Sequence, residues 1–202
     1  TAEIGCELPK TATYVESVLD SLEIQHRRFF GCGVAAWIGE GERTVMLRAD
    51  MDALPGNETS GLPYACSTGA VHACGHDIHT SMLLGAAKLL QAHRNELHGR
   101  VVLMFQPGEE CNPGGASLVL AEEPFADYDV RAVVGEHVEP SLEVGTFGFR
   151  AGKYMASSDE LRFTVHGTGG HAALRNQLHD PVAAVAELVG GLLALNLPER
   201  VL

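Results

Sequence analysis

RTVMLRA, at residues 43–49, is a short run of mostly aliphatic and β-branched residues that leads directly into an acidic segment. Such runs are typical of β-strands that are buried on both faces of a sheet. VVLMF, at residues 101–105, has the same character, and the apolar segment Thr80–His93 between the two runs has the length and pattern of a helix. A strand, a helix and a strand in this order predict an α/β fold with a mainly parallel sheet and flanking helices.

Two further segments extend this pattern towards the ends of the chain. Thr11–Leu22 has apolar residues at helical spacing, which predicts a helix packed on the core. RAVVG, at residues 131–135, is similar to the other two apolar runs and predicts a third buried strand.

A glycine-rich segment, GTFGFRAG at residues 145–152, interrupts the pattern, and we place a domain boundary near Tyr154. Beyond the boundary, LRFTVHG at residues 161–167 predicts a new strand and Pro181–Leu195 a new helix. The sequence thus predicts one domain at 1–154 and part of another at 155–202. Because about fifty residues are marginal for an independent core, we expect the chain to be a fragment of a longer protein.

The composition indicates a soluble globular protein. Its 26 acidic and 14 basic residues give a net charge of −12, so nucleic acid is not an expected partner. The apolar stretches are too short or too interrupted to span a bilayer, and no membrane partner is expected. The five cysteines are odd in number and widely spaced, which favours a reducing compartment and predicts a cytoplasmic location.

Each of the three predicted strands ends in acidic residues or a histidine. The pairs are Asp50 and Asp52, Glu109 and Glu110, and Glu136 and His137. In an open α/β sheet, ligands bind outside the carboxyl ends of the strands, so we expect these three ends to meet at one crevice.

HACGHDIHT, at residues 72–80, precedes the predicted helix and adds a thiol and three imidazoles to the same crevice. Crowded carboxylates repel each other unless a cation or a shared proton relieves them, and this mixture of ligand types suits zinc or a similar ion. Gly75 permits Cys74 and His76 to face neighbouring ions, so the pattern allows two metals. His72 and His79 are interpreted as supporting or capping groups. A polar capping loop remains the alternative, whereas a redox dithiol lacks the C-x-x-C spacing.

The adjacent acids Glu109 and Glu110 favour a hydrolytic reaction. Because their side chains diverge, one should bind metal while the other holds the water. A metal lowers the pKa of bound water to roughly 7, and a neighbouring carboxylate takes the proton and passes it to the leaving group. Asp52 is positioned in sequence to orient a ligand imidazole.

The sequence resembles metallopeptidase family M20, and in particular its amidohydrolase branch. The resemblance rests on RADMDALP, HACGHDIHTSMLLGAAKLL, FQPGEE, GEHV and GTGGHAA, which occur in the family's order and spacing over almost the whole chain. It implies a two-metal catalytic domain with a smaller inserted domain that often forms dimers. The metals would be Zn or Mn, with Ni or Co as alternatives.

The resemblance also implies roles for individual residues. It makes Glu109 the general base and Asp52 the supporting acid. His171, in GTGGHAA, would reach the substrate and stabilise the oxyanion across a homodimer formed by the second domain. The metal ligands would be Cys74, His76, Glu110 and His137.

Two features depart from the family pattern. The family's last metal ligand is a histidine near the C-terminus of a chain almost twice as long, and this sequence stops at Leu202 without it. Ala2 stands where proline is usual in the family. The predicted function is metal-dependent hydrolysis of the amide bond of N-acyl amino acids or related conjugates, with such a small molecule as the substrate. The alternatives are a dipeptidase of the same family and a catalytically incomplete homologue that binds metal or peptide.

Overall fold

The computed structural model describes residues 2–155 and 160–195. Contacts within the chain divide it into two units, Thr1–Ser141 and Leu142–Leu202, each described here by itself. The predicted domain boundary near Tyr154 stays a prediction. None of the helices in the described ranges is long and apolar enough to cross a membrane.

The first unit is an α/β structure in which strands and helices alternate along much of the chain. Its helices are α1 (Pro9–Ser21), α2 (His76–Ala92) and α3 (Gly115–Ala121), with a short 3-10 turn at Arg94–Glu96. Its strands are β1 (Gln25–Phe29), β2 (Gly33–Gly39), β3 (Arg43–Asp50), β4 (Leu54–Pro55), β5 (Ala70–Val71), β6 (Arg100–Gln106) and β7 (Asp129–Gly135).

Five strands form one sheet in the order β1-β2-β6-β3-β7, and β4 and β5 form a separate hairpin. β3 pairs in parallel with both β6 and β7, while β2 runs antiparallel to β6 and to β1. Every strand of the sheet except β2 therefore points the same way, which confirms the predicted mainly parallel sheet. The carboxyl ends of β3, β6 and β7 consequently lie at one edge.

The sheet is packed on both faces. One face packs against α1 and α2, with Leu19, Leu84 and Phe105 among the buried contacts, and the other packs against α3 through Met104 and Val119. β6 is buried on both faces as predicted. The same expectation for β7 is wrong, because β7 lies at the edge of the described sheet and leaves most of its residues exposed.

Helix α2 begins at His76, four residues earlier than predicted. Gly75 precedes it with a φ of +83° and no side chain caps the helix. A Cβ at Gly75 would collide with the side chain of Val138, so glycine is required there both for its conformation and for its lack of a side chain. The hydroxyl of Thr80, in the first turns of α2, donates to the backbone carbonyl of Asp50 at 2.8 Å.

The second unit contains a 3-10 turn at Arg175–Gln177 and helix α4 (Pro181–Leu193), which confirms the predicted helix to within two residues. Asp180 caps α4 by accepting the N–H of Val182 at 2.9 Å. The strand predicted at residues 161–167 is wrong. A strand needs a paired neighbour, and the described residues supply only the isolated bridge between Thr168 and His179.

Helix α1 is capped from outside the helix by Glu3. Its carboxylate accepts the N–H groups of Lys10 at 3.2 Å and Thr11 at 2.8 Å, and also the Thr11 hydroxyl at 2.8 Å. These N–H groups belong to the first turn, where a carboxylate also interacts favourably with the helix dipole. Burial opposes ionisation of Glu3, but the hydrogen bonds from Thr11 and Lys10 outweigh it and hold its pKa below the ordinary value.

Replacing this cap gives a first testable prediction. Glu3→Gln should reduce the free energy of unfolding by about 1 kcal/mol at neutral pH, as expected for loss of a charged cap. Because the pKa is lowered in the folded state, the wild-type advantage should be full above the ordinary glutamate pKa of about 4.3 and shrink as the pH falls below it. Urea unfolding of both proteins across this range measures it, and an advantage that does not change with pH would contradict the capping role.

Candidate metal centre

His76 lies at the middle of the candidate site and is almost fully buried. Its Nδ1 donates to the backbone carbonyl of Asp52 at 2.8 Å, which leaves the lone pair on Nε2. This buried Nε2 has no hydrogen-bond partner among the described residues. The nearest acidic oxygens are those of Asp50 at 3.6 Å and of Glu109 and Glu110 at 3.9 Å each.

Cys74 and His137 approach His76 from the neighbouring loops. The Cys74 Sγ lies 3.3 Å from His137 Nε2, and His137 Nδ1 donates to the backbone carbonyl of Val138 at 2.8 Å. Ligand atoms of Cys74, His76 and His137 lie within 4.8 Å of one another, and the same holds for His76 with Glu109 and Glu110. The structure therefore brings all four predicted ligands and the predicted base into one cluster around His76.

Asp52 forms hydrogen bonds with three residues of this cluster. It is fully buried, and its two carboxylate oxygens accept the backbone N–H groups of Glu109 at 2.9 Å and Glu110 at 3.0 Å. Its own backbone carbonyl holds His76, whereas its carboxylate lies 3.5 Å from the same Nδ1. Asp52 thus orients the imidazole mainly through its main chain and uses its side chain to hold the two glutamates.

Burial and hydrogen bonding act in opposite directions on Asp52 and His76. Burial raises the pKa of Asp52, but the hydrogen bonds from His76 and from the two glutamate N–H groups outweigh it, so the pKa is lowered. Burial lowers the pKa of His76, but the hydrogen bond to Asp52 and the charges of Asp50 and Asp52 raise it overall.

The remaining groups show that the cluster carries excess negative charge. Burial, then Glu110 and Glu109, raise the pKa of the Cys74 thiol to about 11. Burial, then the charges of Glu110 and Asp50, also raise the pKa of Glu109. A divalent cation would relieve this repulsion, and thiolate, imidazole and carboxylate are ligands that first-row metals accept. The donor set and the unpartnered His76 Nε2 therefore fit bound metal.

A second combination, Asp50 with His76 and His79, also has the spacing of a metal site. Both ring nitrogens of His79 are occupied, however. Its Nδ1 donates to Asp50 at 2.7 Å and its Nε2 accepts the N–H of Val138 at 2.9 Å. His79 is therefore not available as a ligand in this arrangement, in agreement with its interpretation as a supporting group.

Sequence analysis missed the partly buried ion pair behind this group. Arg48 Nη1 donates to Asp50 Oδ2 at 2.7 Å, and Arg48 Nε donates to the side chain of Gln106 at 2.9 Å. Arg48 lies inside the apolar run RTVMLRA, two positions before Asp50. Residues two apart in a strand lie on the same face, and this spacing was the available signal.

His171 lies in the second unit and is exposed. Its Nδ1 accepts the N–H of Ala173 at 3.2 Å within a turn. Its predicted contact with substrate across a dimer stays a prediction.

Comparison with known proteins is consistent with this geometry. Residues 46–198 match the sequence model of Peptidase family M20/M25/M40. The chain belongs to this family. It is 42% identical over 190 residues to IAA-amino acid hydrolase ILR1-like 5 of Arabidopsis thaliana, an alignment that covers 93% of the chain and 43% of the relative. It is 41% identical over 191 residues to N-acetyl-L-cysteine deacetylase of Bacillus subtilis, covering 93% and 45%. The chain thus spans less than half the length of these two M20 relatives.

Solved M20 structures share the fold. The Bacillus subtilis YXEP protein, described as a dinuclear metal-binding peptidase of the M20 family, aligns with a TM-score of 0.70 and 38% identity over 74% of the chain and 42% of that protein. A protein from methicillin-resistant Staphylococcus aureus aligns over 98% of the chain and 54% of its own, with a TM-score of 0.79 and 27% identity. The predicted α/β fold and M20 resemblance are confirmed.

Proposed function

We propose that the protein containing this chain hydrolyses the amide bond of N-acyl amino acids or related conjugates with two divalent metal ions. The proposal rests on the environment of the His76 imidazole. Its buried Nε2 has no partner among the described residues and faces the carboxylates of Glu109 and Glu110 at 3.9 Å each. A buried nitrogen left without a hydrogen bond is unfavourable, so a site that retains one is expected to bind a ligand there.

Four residues would hold the metals, and the others would prepare the site. The proposed ligands are Cys74, His76, Glu110 and His137, and after burial the charge of Glu110 contributes most to the raised pKa of the Cys74 thiol. Bound divalent metal supplies Lewis acidity and lowers the pKa of water. Asp52 holds the main chain of both glutamates and the His76 ring, which fixes the relative positions of ligand and base.

Glu109 is the proposed general base. Its carboxylate lies 3.9 Å from His76 Nε2 and is partly exposed, so it can reach a water held beside the proposed ligands, accept its proton and return it. It would take the proton of the attacking water and give it to the amide nitrogen, which leaves poorly as an anion. His171 would stabilise the oxyanion from a second subunit of a homodimer.

The relatives support the substrate class. One is named as a hydrolase of IAA-amino acids and another as a deacetylase of N-acetyl-L-cysteine. Both names describe an acyl group joined to an amino acid, so an N-acyl amino acid is the proposed substrate. Zinc or manganese is the proposed metal, and a cytoplasmic location also stays a prediction.

Metal removal and substrate choice test the proposal together. The natural full-length protein, stripped with a chelator, should lose hydrolysis of N-acetyl, N-benzoyl and indole-3-acetyl amino acids. Separate addition of Zn²⁺, Mn²⁺, Co²⁺ and Ni²⁺ should identify the ion that restores it. Dipeptides serve as the matched substrates, since they retain a free α-amine.

Three outcomes separate the candidate functions. Metal-dependent turnover of at least one N-acyl amino acid supports the proposal. Turnover of dipeptides alone would replace it with a dipeptidase, and metal binding without turnover of any substrate in the panel would replace it with a non-catalytic homologue.

A further inference from the structure

We propose that His79 is a positioning residue that seats the main chain at Val138 and so holds the His137 imidazole in place to bind metal. This inference deepens the proposed function and rests on it. His79 would act through Val138 and would not itself touch metal or substrate.

His137 needs such support because few contacts within its own segment hold the main chain in place. It follows β7, the edge strand of the described sheet, and lies outside any helix or strand. Its side chain is exposed and contacts Cys74 at 3.3 Å and the adjacent Val138 carbonyl at 2.8 Å. These contacts orient the ring relative to its own main chain, so the main chain must be held by something else.

His79, which lies on helix α2, holds the main chain of this segment. Its buried Nε2 accepts the N–H of Val138 at 2.9 Å, and its ring packs edge-on against His137 with 4.7 Å between ring centroids. Val138 is also seated from the other side, because its side chain occupies the space where Gly75 lacks a Cβ. Within HACGHDIH, Cys74 and His76 therefore provide ligand atoms. Gly75 and His79 position Val138, which is adjacent to the third ligand, His137.

The hydrogen bond to Val138 requires one tautomer of His79, and Asp50 selects it. Asp50 Oδ1 accepts from His79 Nδ1 at 2.7 Å, which keeps the proton on Nδ1 and leaves Nε2 as the acceptor. Asp50 is held in turn by Arg48 at 2.7 Å, and both acid and histidine are almost fully buried. The Val138 N–H thus donates to His79 and His79 donates to Asp50, so these two hydrogen bonds join the segment that carries His137 to the end of β3.

Two amide substitutions separate the two hydrogen bonds of His79. In His79→Asn the amide can reach the Nδ1 position and donate to Asp50, but nothing remains to accept from Val138. In His79→Gln the carbonyl oxygen reaches the Nε2 position and accepts from Val138, but the donor to Asp50 is lost. Each variant loses one buried hydrogen bond, so a merely structural role predicts similar damage from both.

The measurement is calorimetric titration of Zn²⁺ into the metal-free natural protein, with circular dichroism as the check on folding. His79→Asn should weaken binding of the affected ion by about 10- to 100-fold, the usual effect of losing a group that supports a ligand. His79→Gln should stay within about threefold of wild type, with thermal stability lowered to a similar extent in both. Thr80→Val is the matched control, because it removes another buried hydrogen bond to Asp50 and leaves Val138 untouched.

Equal affinities in the two amide variants would overturn the inference while leaving the proposed function intact. Failure of the wild-type protein to bind divalent metal would overturn both. If either amide variant does not fold, Val138→Pro replaces it, because proline lacks the N–H that His79 accepts, and it should weaken Zn²⁺ binding in the same direction. Unchanged affinity in Val138→Pro would then count against the inference.

Discussion

Glu109→Gln is expected to reduce kcat for amide hydrolysis by about 100- to 10,000-fold, because the amide cannot accept and return a proton. The metal content should remain that of the wild-type protein. Gln has nearly the same shape as Glu, and the backbone N–H that Asp52 accepts at 2.9 Å is unchanged. Steady-state kinetics on an N-acyl amino acid, with metal analysis of the same samples, measure both quantities.

Glu110→Gln is the matched control for this prediction. The two glutamates are adjacent, and each carboxylate lies 3.9 Å from His76 Nε2, so the distances alone do not assign their roles. The charge of Glu110 raises the pKa of the Cys74 thiol more than the charge of Glu109 does, and Glu109 is the more exposed of the two side chains. Glu110→Gln should therefore lose metal as well as activity. A full loss of metal in Glu109→Gln, or unchanged turnover, would contradict the assignment of the base.

Much of the fold was predictable because it depends on local patterns. Apolar runs at residues 43–49 and 101–105 are followed at once by acids, and the parallel pairing of β3 with β6 places those acids at one edge. The burial of β7 was not predictable in the same way. An apolar run indicates a strand, but which strand lies at an edge depends on pairing partners distant in sequence.

The candidate site shows the same division. Cys74, His76, Glu109 and Glu110 stand in recognisable motifs whose residue types indicate metal chemistry. The pairing of Asp50 with His79 joins residues 29 positions apart, on a strand and on a helix. The seating of Val138 against Gly75 depends equally on the packing of two loops. Such contacts follow from tertiary packing and have no spacing signature.

Gly115→Ala should strongly destabilise the junction between α3 and the loop that carries Glu109 and Glu110. A Cβ at Gly115 would collide with the backbone carbonyl of Pro107, and the Gly115 N–H donates to the carbonyl of Gly108 at 2.6 Å. The loop cannot retreat easily, because the preceding Gln106 accepts the N–H of Met51 at 2.9 Å at the end of the β3–β6 pairing. We expect a loss of about 3 kcal/mol in the free energy of unfolding, at the upper end for overpacking.

The neighbouring Gly114→Ala separates this collision from the general effect of replacing glycine. A Cβ there would meet only the Cys111 carbonyl at 3.7 Å, an ordinary contact, and the Gly114 backbone has φ −66° and ψ 145°, which alanine adopts readily. Its stability should change by no more than about 1 kcal/mol.

Urea unfolding of both variants measures the difference. If Gly115→Ala were as stable as Gly114→Ala, the close approach of Gly115 to Pro107 would not hold the loop. Because that loop positions both glutamates, Gly115→Ala should also weaken Zn²⁺ binding, whereas Gly114→Ala should leave it unchanged.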